Sequence, residues 1–159
     1  MRNMLLAAVA AVAIAPAAFA NGGQIAGVVT PECEVDDLFA TQTFSAIKAG
    51  EQITDGMTLV CNDADGAEVV LRSSEGGLES DDFEDLEIEY QATLDWGTGS
   101  IVLNTGPASG NNDVQVSSTI PGSPDFVDGL TTTLTIVLQE DGEYAGGYSD
   151  TIIVDLLAQ

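Results

Sequence analysis

The stretch Leu86-Glu87-Ile88-Glu89-Tyr90-Gln91-Ala92-Thr93-Leu94-Asp95-Trp96 limits what this chain can fold into more than any other feature. Leu86, Ile88, Tyr90, Ala92, Leu94 and Trp96 take every second position, with Glu87, Glu89, Gln91, Thr93 and Asp95 between them. Side chains alternate across a strand, so one face of this segment is apolar and the other polar. A helix would scatter both sets around its axis. The pattern predicts one long strand over 86–96, buried on one side and wet on the other. By the same parity Trp96 points inward, away from any carbohydrate-stacking role.

Shorter runs obey the same period. Met57, Leu59 and Cys61 alternate with Thr58 and Val60, and Val69 and Leu71 flank Val70. Ile101 and Leu103 flank Val102, and Val114 and Val116 flank Gln115. Leu134, Ile136 and Leu138 form a Thr-rich run suited to a pleated surface, and Ile152, Val154 and Leu156 form another at the end of the chain. Turn signals separate them: Asp63-Ala64-Asp65-Gly66, Glu75-Gly76-Gly77, Gly97-Thr98-Gly99, Gly106 to Asn112, Pro121-Gly122-Ser123-Pro124 and Asp141-Gly142. Roughly eight short strands punctuated in this way predict an all-β sandwich. No segment after residue 20 sustains a 3.6-residue period, and no internal repeat or second domain is visible.

The first 20 residues read as a leader. Arg2 supplies positive charge, Leu5 to Ile14 is an apolar run of ten, and Ala18-Phe19-Ala20 is a cleavage site with small residues at its two recognised positions. The run is too short to span a bilayer, which takes about 20 apolar residues. Residues 1–20 are therefore expected to be a signal peptide, and the exported chain to begin at Asn21. Its length suits one domain. No later apolar run reaches membrane length, so no membrane span is expected in the exported chain.

After the leader, only Lys48 and Arg72 oppose 26 acids, a net charge of −24. Such a surface repels nucleic acid and anionic lipid, and favours solubility, high salt and cationic or calcium-bearing partners. Disorder is not expected, because 45% of the residues are apolar and they alternate regularly. The two cysteines, Cys33 and Cys61, read as a disulfide in an exported protein. A metal or redox site would need companions: the chain has no His, and the spacing is not C-x-x-C.

Little in the sequence speaks for an enzyme. The commonest general base and zinc ligand is absent, as are nucleophile-elbow, P-loop and dinucleotide signatures. With 26 acids, carboxylate pairs of the glycosidase kind arise by chance, and context singles out none. Apart from calcium, no cofactor is expected. Asn62, Asp63, Asp65 and Glu68 place oxygen ligands around Gly66, but the distant Glu of a twelve-residue calcium loop is missing. The same residues read first as an Asp/Gly hairpin turn and only second as a calcium loop. Glu79 to Glu89 holds seven acids in eleven residues, a cation site or simply a solvated loop entering the long strand.

Three features then align. An early cysteine follows a short strand over Ile25 to Thr30, and a second ends a strand 28 residues later. Tyr90 lies on the buried face of the mid-chain strand. The chain closes with Ala145-Gly146-Gly147-Tyr148-Ser149-Asp150-Thr151-Ile152-Ile153-Val154-Asp155-Leu156. That ending resembles the terminus of the spore coat protein U domain, the family that includes subunits of archaic chaperone–usher pili. The resemblance runs from about Cys33 to Gln159, and the terminal motif carries it through Gly147, Tyr148 and Asp150. It implies an immunoglobulin-like sandwich over 33–159 that lacks one strand. A periplasmic chaperone would fill the resulting groove in transit past an outer-membrane usher, and the N-terminal extension of another subunit would fill it in the fibre. Strand addition of this kind takes affinity from main-chain hydrogen bonds and specificity from alternate side chains. The donor would be residues 21–32, with Ile25, Gly27 and Val29 on one face. Under the resemblance, Cys33 and Cys61 staple the first two strands, Tyr148 packs at the sandwich edge and Asp150 satisfies a turn.

Two function classes follow. One is a fimbrial subunit for adhesion or biofilm, with residues 21–32 acting in trans. The other is a monomeric exported module that binds calcium or a cationic ligand on its acidic face, with residues 25–30 as its own first strand.

Overall fold

The computed structural model describes residues 24–82, 86–106 and 113–159. The expected leader lies outside them, as do Glu84 and Asp85 of the acid run and most of the 106–112 turn signal. The chain is all-β. Its strands are β1 (Cys33–Asp36), β2 (Gln52–Cys61), β3 (Ala67–Ser73), β4 (Leu78–Ser80), β5 (Glu87–Ile88), β6 (Tyr90–Asp95), β7 (Ser100–Asn104), β8 (Val114–Ile120), β9 (Leu130–Leu138), β10 (Tyr148–Ser149) and β11 (Ile152–Ala158), with a one-turn helix α1 (Pro124–Asp128) before β9. They form three antiparallel sheets, of order β1-β2-β9-β6-β7, β11-β3-β8 and β10-β4-β5. Among the described residues no helix is long and apolar enough to cross a membrane.

One apolar core joins the sheets. Leu59, Cys61, Val69, Leu71, Ala92, Leu94, Leu134 and Leu138 are all buried in it, each at an alternate position of its strand. Burial of such side chains stabilises the fold by roughly 1.5–3 kcal/mol each. Outward positions of the five-stranded sheet carry Thr54, Thr93 and Thr135, adjacent in register across β2, β9 and β6. The period-two reading therefore holds for which face each residue takes, Trp96 included, since it is buried.

The long strand over 86–96 does not form as one element. Ile88, Tyr90, Ala92 and Leu94 stay on the buried face, but the strand changes sheets at Glu89. Glu87–Ile88 pairs with β4, whereas Tyr90–Asp95 pairs with β7 and β9. The Glu89 carbonyl accepts from Gln139 N–H (2.8 Å), and Tyr90 N–H is taken by Thr105 Oγ1 (2.8 Å). Alternation reports facing and says nothing about which neighbour supplies hydrogen bonds.

The strand expected over Ile25 to Thr30 is also absent. Among the described residues, regular structure begins at Cys33, and residues 24–32 have no strand pairing. The helix at 124–128 was not anticipated from periodicity, being too short to show one. Its signal is local: Ser123 caps it by accepting from Phe126 N–H (3.1 Å), and Pro124 opens it.

Cys33 lies directly opposite Cys61 in the β1–β2 ladder, and the two form the disulfide. It closes a loop with a sequence separation of 28 residues. In the chain-entropy model such a loop contributes about 3–4 kcal/mol. Replacing both cysteines by serine should lower the unfolding free energy by that amount in urea titrations, with the slope of the transition little changed.

Candidate functional site

The C-terminal strand sets up the site. In the order β11-β3-β8, β11 has a hydrogen-bonded neighbour on one side only. Among the described residues no backbone hydrogen bond reaches its other edge. A sheet edge of this kind is a template for another strand. Where β11 begins, a cavity of about 660 Å³ opens beside it. One wall is the irregular segment after β1, including Phe39, Phe44 and Ile47; the other is Gly146 to Ile152. Ile53 of β2 and Ile136 of β9, partners in register, contribute apolar surface along with Leu78. Among the described residues, Asp150 is the sole charged one along it.

Asp150 is fully engaged. Its Oδ2 accepts from the Ser73 and Tyr90 hydroxyls, both at 2.6 Å. Its Oδ1 accepts from the backbone N–H groups of Glu75 (3.1 Å) and Thr151 (2.6 Å). Ser73 Oγ in turn accepts from Gly76 N–H at 2.9 Å. One carboxylate thereby joins the end of β3, the start of β6 and the start of β11. Tyr90 is 1% exposed. Its phenol is held protonated well above the ordinary tyrosine range, first by burial and then by the Asp150 charge and hydrogen bond. A protonated phenol is what Asp150 needs as a donor.

The terminal motif serves the same wall. The Gly147 carbonyl accepts from Asp81 N–H (2.9 Å), and Tyr148 pairs with Ser80 between β10 and β4. Tyr148 is half-buried, and its hydroxyl donates to the Tyr144 carbonyl at 3.0 Å. Asp150 goes well beyond closing a turn.

The extension lies at the opposite pole. Cys61 Sγ approaches the Gly66 carbonyl (4.0 Å), which also accepts from Gln159 N–H (3.3 Å). The end of β2, the disulfide and the end of β11 therefore meet there. Ile25, Val28 and Val29 expose 101, 96 and 81% of their surface. Gly27 has nothing near its Cα that a side chain would meet. Ile25, Gly27 and Val29 thus project from the body without packing on it.

Of the four residues considered for calcium, Asn62 and Asp63 already have their side chains in hydrogen bonds. Asn62 directs its carboxamide at the base of the extension: Oδ1 accepts from Glu32 N–H (2.8 Å) and Nδ2 donates to the Thr30 carbonyl (3.2 Å). Asp63 caps a turn, with Oδ1 accepting from Asp65 N–H (3.0 Å) and its carbonyl from Gly66 N–H (3.1 Å). Gly66 sits at φ +95°, and a Cβ there would collide with the Ile120 carbonyl, so glycine is required. Glu68 is on β3, opposite Leu157 and Thr119. Among the described residues no three acidic, His or Cys side chains are grouped to hold a metal ion, Asp63, Asp65 and Glu68 included.

No protein-family model, no curated protein and no solved structure matches this chain.

Tyr90→Phe should lower stability by about 1.5–3 kcal/mol, the usual worth of a hydrogen bond to a charged group. Asp150→Ala should cost more, since it strands two hydroxyls and two N–H groups. The pH dependence has a definite sign. Because the folded-state value of Tyr90 is raised, its contribution is complete below the unfolded tyrosine value of about 10 and is lost as pH climbs above it. Thermal denaturation between pH 8 and 11 should show an alkaline decline that is smaller in Tyr90→Phe.

Proposed function

We propose that this chain is the structural subunit of a surface fimbria, an immunoglobulin-like sandwich short of one strand, assembled by donor-strand complementation. In this reading the extension of one copy, residues 21–32, enters the groove of the next. A periplasmic chaperone occupies that groove during export, an outer-membrane usher receives the subunit, and the finished fibre serves adhesion or biofilm formation.

The observation that carries the reading is one pairing of features. A largely apolar cavity opens where β11 begins, and β11 has a hydrogen-bonded neighbour on one side only among the described residues. An unpaired, apolar-bearing segment leaves the same molecule at its other pole. Exposed valine and isoleucine side chains on an unpaired backbone are costly in water, and so is an open strand edge. Each is what the other lacks. Charge agrees, because residues 21–30 carry none in a chain that otherwise holds 26 acids. Such a segment can approach a like-charged copy with the least repulsion.

Distance favours another copy over the same one. Eight residues of β2 separate Ile53, beside the groove, from Cys61, beside the extension, roughly 27 Å at strand rise. From Thr30 back to Asn21 there are nine residues, about 30 Å fully extended. A segment folding back would use its whole length to reach the cavity at the start of β11, whereas the end of β11 lies beside its own base. A groove at one pole and a donor at the other make a head-to-tail contact, which extends into a filament unless its rotation closes a ring.

The decisive comparison is between the chain from Asn21 and a version from Glu32, by size-exclusion chromatography and electron microscopy. Polymers or strand-exchanged oligomers are expected from the first and not from the second. A stable monomer from the first, merely unfolded by the truncation, would reject the proposal in favour of a self-contained acidic binding module. Because subunits at −24 repel one another, polymer yield should rise with salt as the Debye length falls below about 10 Å.

A further inference from the structure

The base of the extension is held with unusual care for a segment that otherwise touches nothing. Three hydrogen bonds from a single residue fix it. Asn62 N–H donates to the Glu32 carbonyl (3.1 Å), Asn62 Oδ1 accepts from Glu32 N–H (2.8 Å), and Asn62 Nδ2 donates to the Thr30 carbonyl (3.2 Å). The first of these continues the β1–β2 ladder one residue beyond the Cys33–Cys61 pair. The other two bind both sides of Pro31, whose ring fixes its own φ and pushes Thr30 into extended conformations. Residues 30–32 are therefore straight and rigid where a chain folding back would have to turn. Beyond them, Val29, Val28 and Ile25 are almost entirely in solvent.

We infer that Asn62 is a positioning residue that, with Pro31, aims the extension away from its own groove, so that the occupant of each groove is a second copy of this chain. The inference rests on the donor-strand reading above. Geometry gives the device its effect. A clamped chain can reverse only from Val29 onward, and the turn then consumes residues needed to reach the groove. Released at residues 30–32, the chain gains three residues, about 10 Å of reach, and a hinge next to the body. Intramolecular capture then competes, and a tethered segment does so at an effective concentration that two separate copies in dilute solution do not reach. The clamp tilts this competition toward the neighbour.

The test uses the chain from Asn21, compared with Asn62→Ala and with Pro31→Gly. The second variant leaves the folded body untouched and decides the matter if the first fails to fold. Oligomer mass is measured by light scattering over a hundredfold range of concentration. Hydrogen exchange at the β11 amides and at residues 24–30 is followed in the dilute samples. The original chain should form oligomers in a concentration-dependent way, with β11 edge amides exchanging freely when dilute. Both variants should show a several-fold smaller oligomer fraction, and protection of the β11 edge that does not change with dilution. Variants that assemble like the original, with the same exchange pattern, would overturn the inference while leaving donor-strand assembly standing. A synthetic peptide of residues 21–32, added in excess to the original chain, separates the two levels. It should dissolve the oligomers and protect β11; failure to do either removes the donor-strand reading and this inference with it.

Discussion

The carboxylate of Asp150 is the tie on which the shape of the groove depends. It accepts from β3, β6 and the start of β11 at once, with both oxygens used. Sheet hydrogen bonds hold β11 to β3, but nothing in a ladder determines how a terminal edge strand is set relative to a different sheet. Asp150 does that through Tyr90, which belongs to the five-stranded sheet. A buried phenol that stays protonated and the carboxylate that accepts from it form a directional link through the interior. The groove wall formed by Gly146 to Ile152 is consequently pinned at its centre while its outer edge remains unpaired.

Much of this architecture was legible in the sequence because it depends on which way a side chain faces. Parity alone puts Tyr90, Leu94 and Trp96 inside, and two cysteines in a chain without histidine point to each other. What could not be read depends on partners far away along the chain. The break at Glu89 arises because Gln139 and Thr105 claim the backbone on either side of it. The groove is lined partly by residues 39–47, whose sequence has no period to betray a wall. Asn62 was grouped with its acidic neighbours as an oxygen ligand, yet its carboxamide faces residues 30 to 32, contacts with no local signature. The Ser123-Pro124 step did carry a helix start, one that a turn reading of the same residues obscured. Of the candidate site, then, the proposed donor segment, Tyr148 and Asp150 stand out in the sequence, and their geometric relation does not.

The charge of the chain is distributed in a way that suits the same arrangement. Ten consecutive residues, 21–30, are uncharged, and the groove shows a single carboxylate whose lone pairs are already taken. Acids lie elsewhere, among them Asp36 on β1 and Glu68 on β3, and seven of them fall between Glu79 and Glu89. Repulsion between copies then acts broadly and can be screened by salt, whereas apolar contact acts where charge is missing. Long-range fields would keep stray encounters apart without weakening the one contact that buries aliphatic surface.

In a fibre of the proposed kind, the placement of the disulfide would acquire a mechanical meaning. Tension applied through residues 24–30 enters the body at Glu32 and reaches Cys33 next. The four residues of β1 are bonded to β2 only, and alone they would peel away one rung at a time. The covalent bond at the first rung passes the load directly to Cys61, the last residue of the ten-residue β2, which is flanked by β9 over eight pairs. In that proposed fibre, force would be shared along a long ladder loaded in shear from its first instant, and the strand that anchors the tether would be relieved of the pull.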